Sequence, residues 1–347
     1  MSPPYSGGVS TEPVGEGRAI RWGIVGPGRI AASVTPDFAH VEGAELVAVA
    51  SRSHERAQAF ADQHGIARAY GGYGGILGDD EVDALYIATP HPQHEAVALA
   101  ALAAGKAVLV EKAFTATVAG AERVIEAARR EQVFAMEAMW TRFQPVLVRI
   151  RELVADGAIG EVRQVQADLG VDRPYDPKDR LFDPAQGGGA MLDLGVYVVS
   201  LAQHFLGNPT SVSVSGSLAP TGVDAEAGLL LGYEDGRAAS LLVSLRNPTP
   251  GVARLHGTRG WIEIPPRFHH PKSFVLNRAG HGPETFDLLP LGAGYSHELI
   301  EVTQCVREGR TESSVMPLDD TLAVQRVLNE ASERLGVFHH EDARAAV

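Results

Sequence analysis

Two rhythms of apolar residues divide the chain. From residue 20 to about 140, short blocks of consecutive apolar residues (20–25, 46–50, 84–88, 107–110 and 133–136) alternate with longer segments whose apolar positions recur every three or four residues. The short blocks fit strands covered on both faces, and the periodic segments fit helices. The spacing predicts helices from Gly26 to about His40, over 55–64 closed by Gly65, over 94–104 with Gly105 just past its end, and over 118–131. Glycine after a helix supplies the left-handed conformation that other residues adopt only at a cost. Strands and helices alternating at this spacing predict a parallel, doubly wound sheet of the Rossmann kind.

Beyond Trp140 the rhythm changes. A helix over 145–155 and a long strand over 162–169 precede a polar, proline-rich loop, and Gly187-Gly188-Gly189 opens a further helix. From Val212 onward short strands dominate (228–233, 238–245, 252–256 and 261–264), with Glu234-Asp235-Gly236 as a hairpin turn. Segments 295–308 and 321–335 have the period of amphipathic helices. The fold class read from the pattern is α/β: an N-terminal Rossmann domain over 18–140 and a C-terminal α+β domain over 141–338 with an open, mostly antiparallel sheet. A Pro/Gly/Ser-rich arm over 1–17, expected to be disordered, and a tail over 339–347 flank them.

Composition narrows the partners. With 347 residues the chain is long enough for two domains. Its net charge of −13 and pI near 5.4 argue against a nucleic-acid partner, which would require clustered Lys and Arg. Cys305 is the only cysteine, so neither an intramolecular disulfide nor a cysteine zinc site can form, and it reads as a small core residue. Residues 1–17 lack the basic start and apolar stretch of a secretory signal, and no run of about 18 apolar residues suggests a membrane span. The expected setting is the cytoplasm, and the expected partner is a small molecule.

The first candidate chemistry is at Gly26-Pro27-Gly28-Arg29-Ile30-Ala31, directly after the first strand. Gly26 permits a tight turn, Gly28 lets backbone N–H groups approach a pyrophosphate, and Ala31 lets the next helix pack closely. At the end of the second strand, where an NAD enzyme places Asp or Glu on the ribose 2′-hydroxyl, the chain has Ser51-Arg52-Ser53. Arg52 can pair with a 2′-phosphate, with Ser51 or Ser53 as hydroxyl donor, so NADP is favoured while NAD or dual use stays open. Glu111-Lys112 follows a strand at the sheet edge where such folds bind ligands. Asp193 and Tyr197, four apart, share a helix face, although an Asp cap and a core Tyr would look the same. No metal site is expected. Asp172, Asp176, Asp179 and Asp183 are interrupted by prolines, and His269-His270, behind Pro265-Pro266, reads as an exposed turn. His91 and His94 lie closer to the candidate chemistry.

Ala88-Thr89-Pro90 with His94, Gly105-Lys106, Glu111-Lys112 and Gly189-Ala190-Met191-Leu192-Asp193-Leu194-Gly195 complete a set of motifs. In order and spacing the chain resembles, over residues 20–335, the glucose-fructose oxidoreductase and inositol dehydrogenase (Gfo/Idh/MocA) superfamily. Met136 to Phe143, Thr221-Gly222-Val223-Asp224 and Tyr197 resemble its dimeric dihydrodiol dehydrogenase branch, which includes NADP-dependent D-xylose dehydrogenases. Two departures stand out. Ala113 occupies the place of the family's usual proline after Glu-Lys, which implies a less rigid loop around Lys112. Tyr197 stands where most of the superfamily has His, as it does in the dihydrodiol dehydrogenases.

The resemblance implies that Tyr197 is the acid/base, Lys112 the charge that lowers its pKa toward phenolate, and Asp193 the group that orients lysine or substrate. It implies that Thr89, Pro90, His94, Glu111 and Lys112 join Gly26, Gly28, Arg29, Ile30, Ser51 and Arg52 at the cofactor. Trp140 and Phe143 would line a pocket for a sugar or trans-dihydrodiol. An enzyme holding NAD tightly between sugar substrates, and a silent dinucleotide-binding module, are the alternative readings. A sheet face left uncovered by its own helices, together with the resemblance, implies a homodimer, with a tetramer as the alternative.

Overall fold

The computed structural model describes residues 17–345; the arm expected over 1–17 lies outside it except for Gly17. The first sheet consists of β1 Ile20–Val25, β2 Ala44–Ser51, β3 Arg68–Gly71, β4 Ala84–Ile87, β5 Ala107–Glu111 and β6 Ala135–Ala138, all parallel, in the order β3-β2-β1-β4-β5-β6. β4, β5 and β6 are buried along their whole length, β4 as an unbroken apolar run, β5 and β6 with the carboxylates Glu111 and Glu137 buried among apolar residues. β3 is half-buried and lacks an apolar block, so the pattern did not announce it. Strand order reverses direction between β1 and β4, and ligands of this fold bind in the crevice past the carboxyl ends of those two strands.

Two helices differ from the pattern for local reasons. The helix after Gly28 covers only Arg29–Val34 and tightens into a 3₁₀ turn over Thr35–His40, where Pro36 has no N–H to give. The helix His91–Ala103 starts three residues before the periodic segment, because Pro92 is tolerated in a first turn whose N–H groups have no helical partner.

The second sheet holds β7 Val162–Gly170, β8 Ser211–Leu218, β9 Asp224–Gly232, β10 Ala238–Ser244, β11 Ala253–Gly257, β12 Gly260–Ile264, β13 Ser273–Arg278 and β14 Glu284–Asp287. Its order is β14-β13-β12-β11-β7-β10-β9-β8, antiparallel except where β10 runs parallel to β7. One face packs on the helices Val196–Leu206 and Leu318–Arg334. The other leaves Leu230 55%, Leu242 45% and Trp261 37% exposed.

By length and composition the stretch 184–206 could pass for a membrane span, but Gly187–Gly189 break its helix and Asp193 interrupts its apolar residues, so the expectation of no run of about 18 apolar residues stands. Because 78% of its most apolar window is buried, its apolarity is that of a core helix. The two halves interlock. Trp22 Nε1 donates to Thr303 Oγ1 at 3.2 Å, and Asp37 accepts from the Ala293 and Ser296 amides. The segment read as a tail returns to the first half: Glu341 accepts from Thr117 N and Oγ1, both at 2.8 Å, and the Asp342 amide donates to Pro92 O.

Candidate active site

At the end of β1 the backbone turns through Gly26, at φ +92°, with its amide bonded to Ala50 O. A Cβ there would lie 2.9 Å from Ala88 O, so only glycine lets the ends of β1 and β4 come this close. A Cβ on Gly28 would meet nothing nearer than 4.0 Å, because that side opens on a cleft of about 1000 Å³. Gly28, Arg29, Ile30, Thr89 and Pro90 line one side of it. Thr89 Oγ1 is buried there without a hydrogen-bond partner, and together with the open Gly28 edge it fits a polar, extended ligand such as a dinucleotide. Ser51 and Arg52 lie beside the cleft and not in its wall. Ser51 is buried, Arg52 is exposed, and Ser53 is taken up as the N-cap of the helix His54–His64, accepting from the Arg56 amide.

Past β5 the chain carries Glu111 and Lys112 into the cleft. Glu111 accepts from Tyr86 Oη at 2.5 Å and from the Lys112 amide at 3.2 Å; burial raises its pKa. The Lys112–Ala113 peptide is cis, and each of its residues offers a carbonyl to a histidine. Lys112 O meets His91 Nε2 at 3.3 Å, and Ala113 O meets His94 Nδ1 at 3.0 Å. The other ring nitrogens face Gly187 O and Thr89 O. Burial lowers both imidazoles' pKa, to about 3 for His91 and about 4 for His94, so each neutral ring keeps one N–H and donates to one of the two carbonyls it faces. The looser loop expected from Ala113 is therefore not found. Ala113 is fully buried and Phe114 N is tied to Glu137 Oε1. His94 lies behind this loop and lines the cleft.

Asp193 and Tyr197 arrive on one helical run, although not by a regular i to i+4 step. Met191–Gly195 is a wide π-type turn, followed by the helix Val196–Leu206. Buried Asp224 holds its start by accepting from Met191 N at 2.6 Å. Lys112 Nζ donates to Asp193 O at 2.7 Å and Oδ1 at 3.4 Å, and lies 4.8 Å from the centre of the Tyr197 ring. Arg180 donates to the same Oδ1 at 2.9 Å. Burial opposes ionisation of Asp193, but Lys112 and Arg180 outweigh it and hold its pKa well below the ordinary carboxylate value. The three residues thus meet.

Their electrostatics differ from the expectation. Burial, and then the negative charge of Glu111, push the Tyr197 phenol well above its usual pKa of 10, with the Trp140 indole acting the other way. The Lys112 ammonium is engaged by Asp193 and lies over the ring, so Tyr197 is a neutral phenol and not a phenolate.

Trp140 and Phe143 do not line the cleft; each is only 7% exposed. Trp140 stacks on Tyr295 at 4.3 Å and leans on His270, supporting the site from behind. His269 and His270 are not an exposed turn. The His269 ring lies 5.1 Å from that of Tyr197 and enters the cleft wall, because Trp140 and Tyr197 pack around it. Sequence reasoning also passed over Arg173, Arg180, Thr249 and Arg267 in that wall. Their loops have no apolar period, and only the unusual run of Asp, Pro and Arg hinted at a built loop. Its carboxylates cap turns: Asp176, Asp179 and Asp183 accept from the amides two residues on.

Residues 20–139 match the oxidoreductase family with an NAD-binding Rossmann fold, and residues 147–263 match the GFO/IDH/MocA C-terminal domain. The trans-1,2-dihydrobenzene-1,2-diol dehydrogenase of Mus musculus is 37% identical over 94% of this chain and 100% of its own length; the Homo sapiens protein is 36% identical over the same shares. Among solved structures, an aldose-aldose oxidoreductase from Caulobacter crescentus, complexed with glycerol, superposes with TM-score 0.83 at 29% identity, over 92% of this chain and 97% of its own. A 3-ketoreductase from Actinomadura kijaniata, in complex with NADP and TDP-benzene, gives 0.80 at 26%, over 94% and 100%.

Proposed function

Since the chain belongs to the Gfo/Idh/MocA oxidoreductase family, we propose that it is an NADP-dependent dehydrogenase acting on a CH–OH group of a sugar or trans-dihydrodiol, with Tyr197 as acid/base. The observation that carries this reading is the meeting of Lys112, Asp193 and Tyr197 in the cleft that Gly28 and Thr89 open. Gly26, Gly28, Arg29 and Ile30 would hold the cofactor's pyrophosphate, Thr89, Pro90, His94, Glu111 and Lys112 its nicotinamide half, and Ser51 and Arg52 its 2′-phosphate. The bound nicotinamide supplies one capacity, hydride exchange with the substrate carbon.

The protein's own part is proton handling. In reduction, neutral Tyr197 has the proton that a carbonyl oxygen needs, and the phenolate left behind is met by the Lys112 ammonium 4.8 Å from its ring. In oxidation the same hydroxyl receives the proton from the substrate. Asp193 keeps Lys112 in place, and the paired carbonyl contacts of His91 and His94 fix the loop from which it projects. The uncovered face of the second sheet supports a homodimer.

Tyr197→Phe removes only the hydroxyl. It should lower kcat at least about a hundredfold in both directions while the Kd for NADP measured by fluorescence stays within about twofold. Near-normal turnover would remove Tyr197 from the mechanism.

A further inference from the structure

Three arginines in the cleft carry no proton in the chemistry above, and of them Arg180 alone has a partner there, Asp193. Arg173, Arg180 and Arg267 come from loops of the second half, across from the Gly26–Ile30 edge. With Arg29 and Lys112 they make five cationic side chains in the cleft wall against two carboxylates, Glu111 and Asp193, in a chain whose net charge is −13. Both carboxylates are occupied, Glu111 by Tyr86 and the Lys112 amide, Asp193 by Lys112 and Arg180. Arg173 and Arg267 have no ion pair or side-chain hydrogen bond among the described residues. Asp176, Asp179 and Asp183, on the loop that carries Arg173, are turned onto loop amides. A cleft focuses such a surplus of one sign and attracts the opposite charge.

Arg267 shows a second feature. Its backbone sits at φ +71°, a region where glycine or asparagine is at ease and a long side chain is strained. The turn is closed around it by His270 N to Arg267 O and by Phe268 N to Gly251 O, at 2.9 and 3.0 Å. Backbone strain of this kind gathers at functional sites. Arg267 lines both the cleft and an adjoining groove of about 610 Å³ that also holds His270 and Lys272. Between Arg267 and Tyr197 lies His269, whose buried Nδ1 has no partner. Burial, then His270, Arg267 and Lys112, keep that ring neutral and free to hydrogen-bond.

We propose that the substrate carries an anionic group, a carboxylate or a phosphate ester, bound by Arg173 and Arg267 while its reacting carbon lies at Tyr197. The planar guanidinium forks suit either anion in bidentate fashion. The proposal rests on the dehydrogenase reading for where the reacting carbon lies, and its test reads the two separately.

Enzyme saturated with NADP is titrated calorimetrically with matched probes: D-glucose against D-glucuronate and D-glucose 6-phosphate, and benzyl alcohol against benzoate. NADPH formation is followed in parallel. The expected result is at least tenfold tighter binding of the anionic member in one series, with the glucuronate and phosphate arms telling which anion is preferred. Arg267→Asn, which suits the left-handed backbone and so preserves the turn, should bring that preference down to about twofold, and Arg173→Ala should reduce it. Equal binding of neutral and anionic probes overturns the proposal, as does a preference that survives both substitutions. A loss of NADP affinity in Arg267→Asn with anion preference intact overturns it too, by assigning the guanidinium to the cofactor. Anion preference without any NADPH formed would leave the arginine site standing and remove the dehydrogenase reading. NADPH formed without preference would do the reverse.

Discussion

Arg52 projects into solvent at the carboxyl end of β2, next to buried Ser51, in a stretch with no carboxylate from residue 51 to 54. Its charge, with that of Arg56, acts on Tyr73 against the effect of burial, while Glu55 stands beside them and accepts from Ser53 Oγ at 3.3 Å. If Arg52 binds the 2′-phosphate, Arg52→Ala should raise KM for NADP relative to NAD by about tenfold or more, one charge-assisted contact being worth about 1.5–3 kcal/mol. An unchanged KM ratio in steady-state assays would discard this role. At this scale the sequence was legible where a residue type is needed for a stated contact, as with Gly26 and Lys112. His269 was not, because Pro265-Pro266 marks a turn while its burial arises from Trp140 and Tyr197, distant in the chain. Nor was the direction of the Tyr197 shift: proximity to Lys112 could be inferred from motifs, but burial among Glu111, Asp193 and Glu298 could not.

The helices Val118–Glu131 and Pro145–Ala155 lie where the pattern put them, the first capped by Thr117, which accepts from the Gly120 amide, and the second opened by Pro145. β13 and β14 escaped notice because one has only three apolar residues between polar ends and the other alternates half-buried with exposed positions. The π-type turn Met191–Gly195 has no sequence period, and Asp224 on β9 is what fixes it. Gly189 has no side chain to clash there, since a Cβ would fall on Asp224 Oδ1, which itself has no partner. Burial outweighs the amides of Met191, Asp224 and Ala190 and raises the Asp224 pKa from 3.8 to about 7. The folded state therefore binds this proton more tightly than the unfolded chain. Its stabilisation is fully present below about pH 4 and lost as pH rises through 7, with a ceiling on the order of 4 kcal/mol. Asp224→Asn should gain on the wild type as pH rises, seen as a difference in Tm that grows from pH 5 to pH 8.5. A difference independent of pH would refute the assignment.

The molecule as a whole leaves one broad surface unexplained by its own packing, the outer face of the second sheet. Leu230 on β9 and Leu242 on β10 stand there with Trp261 on β12. Monomers rarely expose such apolar positions together on a flat sheet. If this face joins two copies, light scattering should give twice the mass of the chain for the wild type and the mass of one chain for Leu230→Glu/Leu242→Glu, with circular dichroism unchanged. A wild-type monomer would rule the interface out.

The docking of the C-terminal segment has a further consequence, for synthesis. The helix Val118–Glu131 shares its apolar cluster with Leu318 and Ala345, and its N-cap is bound by Glu341, so the half of the chain with the glycine turn lacks part of its packing until residues 318–345 exist. At about 5–20 residues per second a ribosome needs roughly 10–40 seconds to translate the intervening two hundred or so residues. During that interval the nascent first half presents an unfinished apolar surface, which makes it the stage at which a chaperone has most to offer.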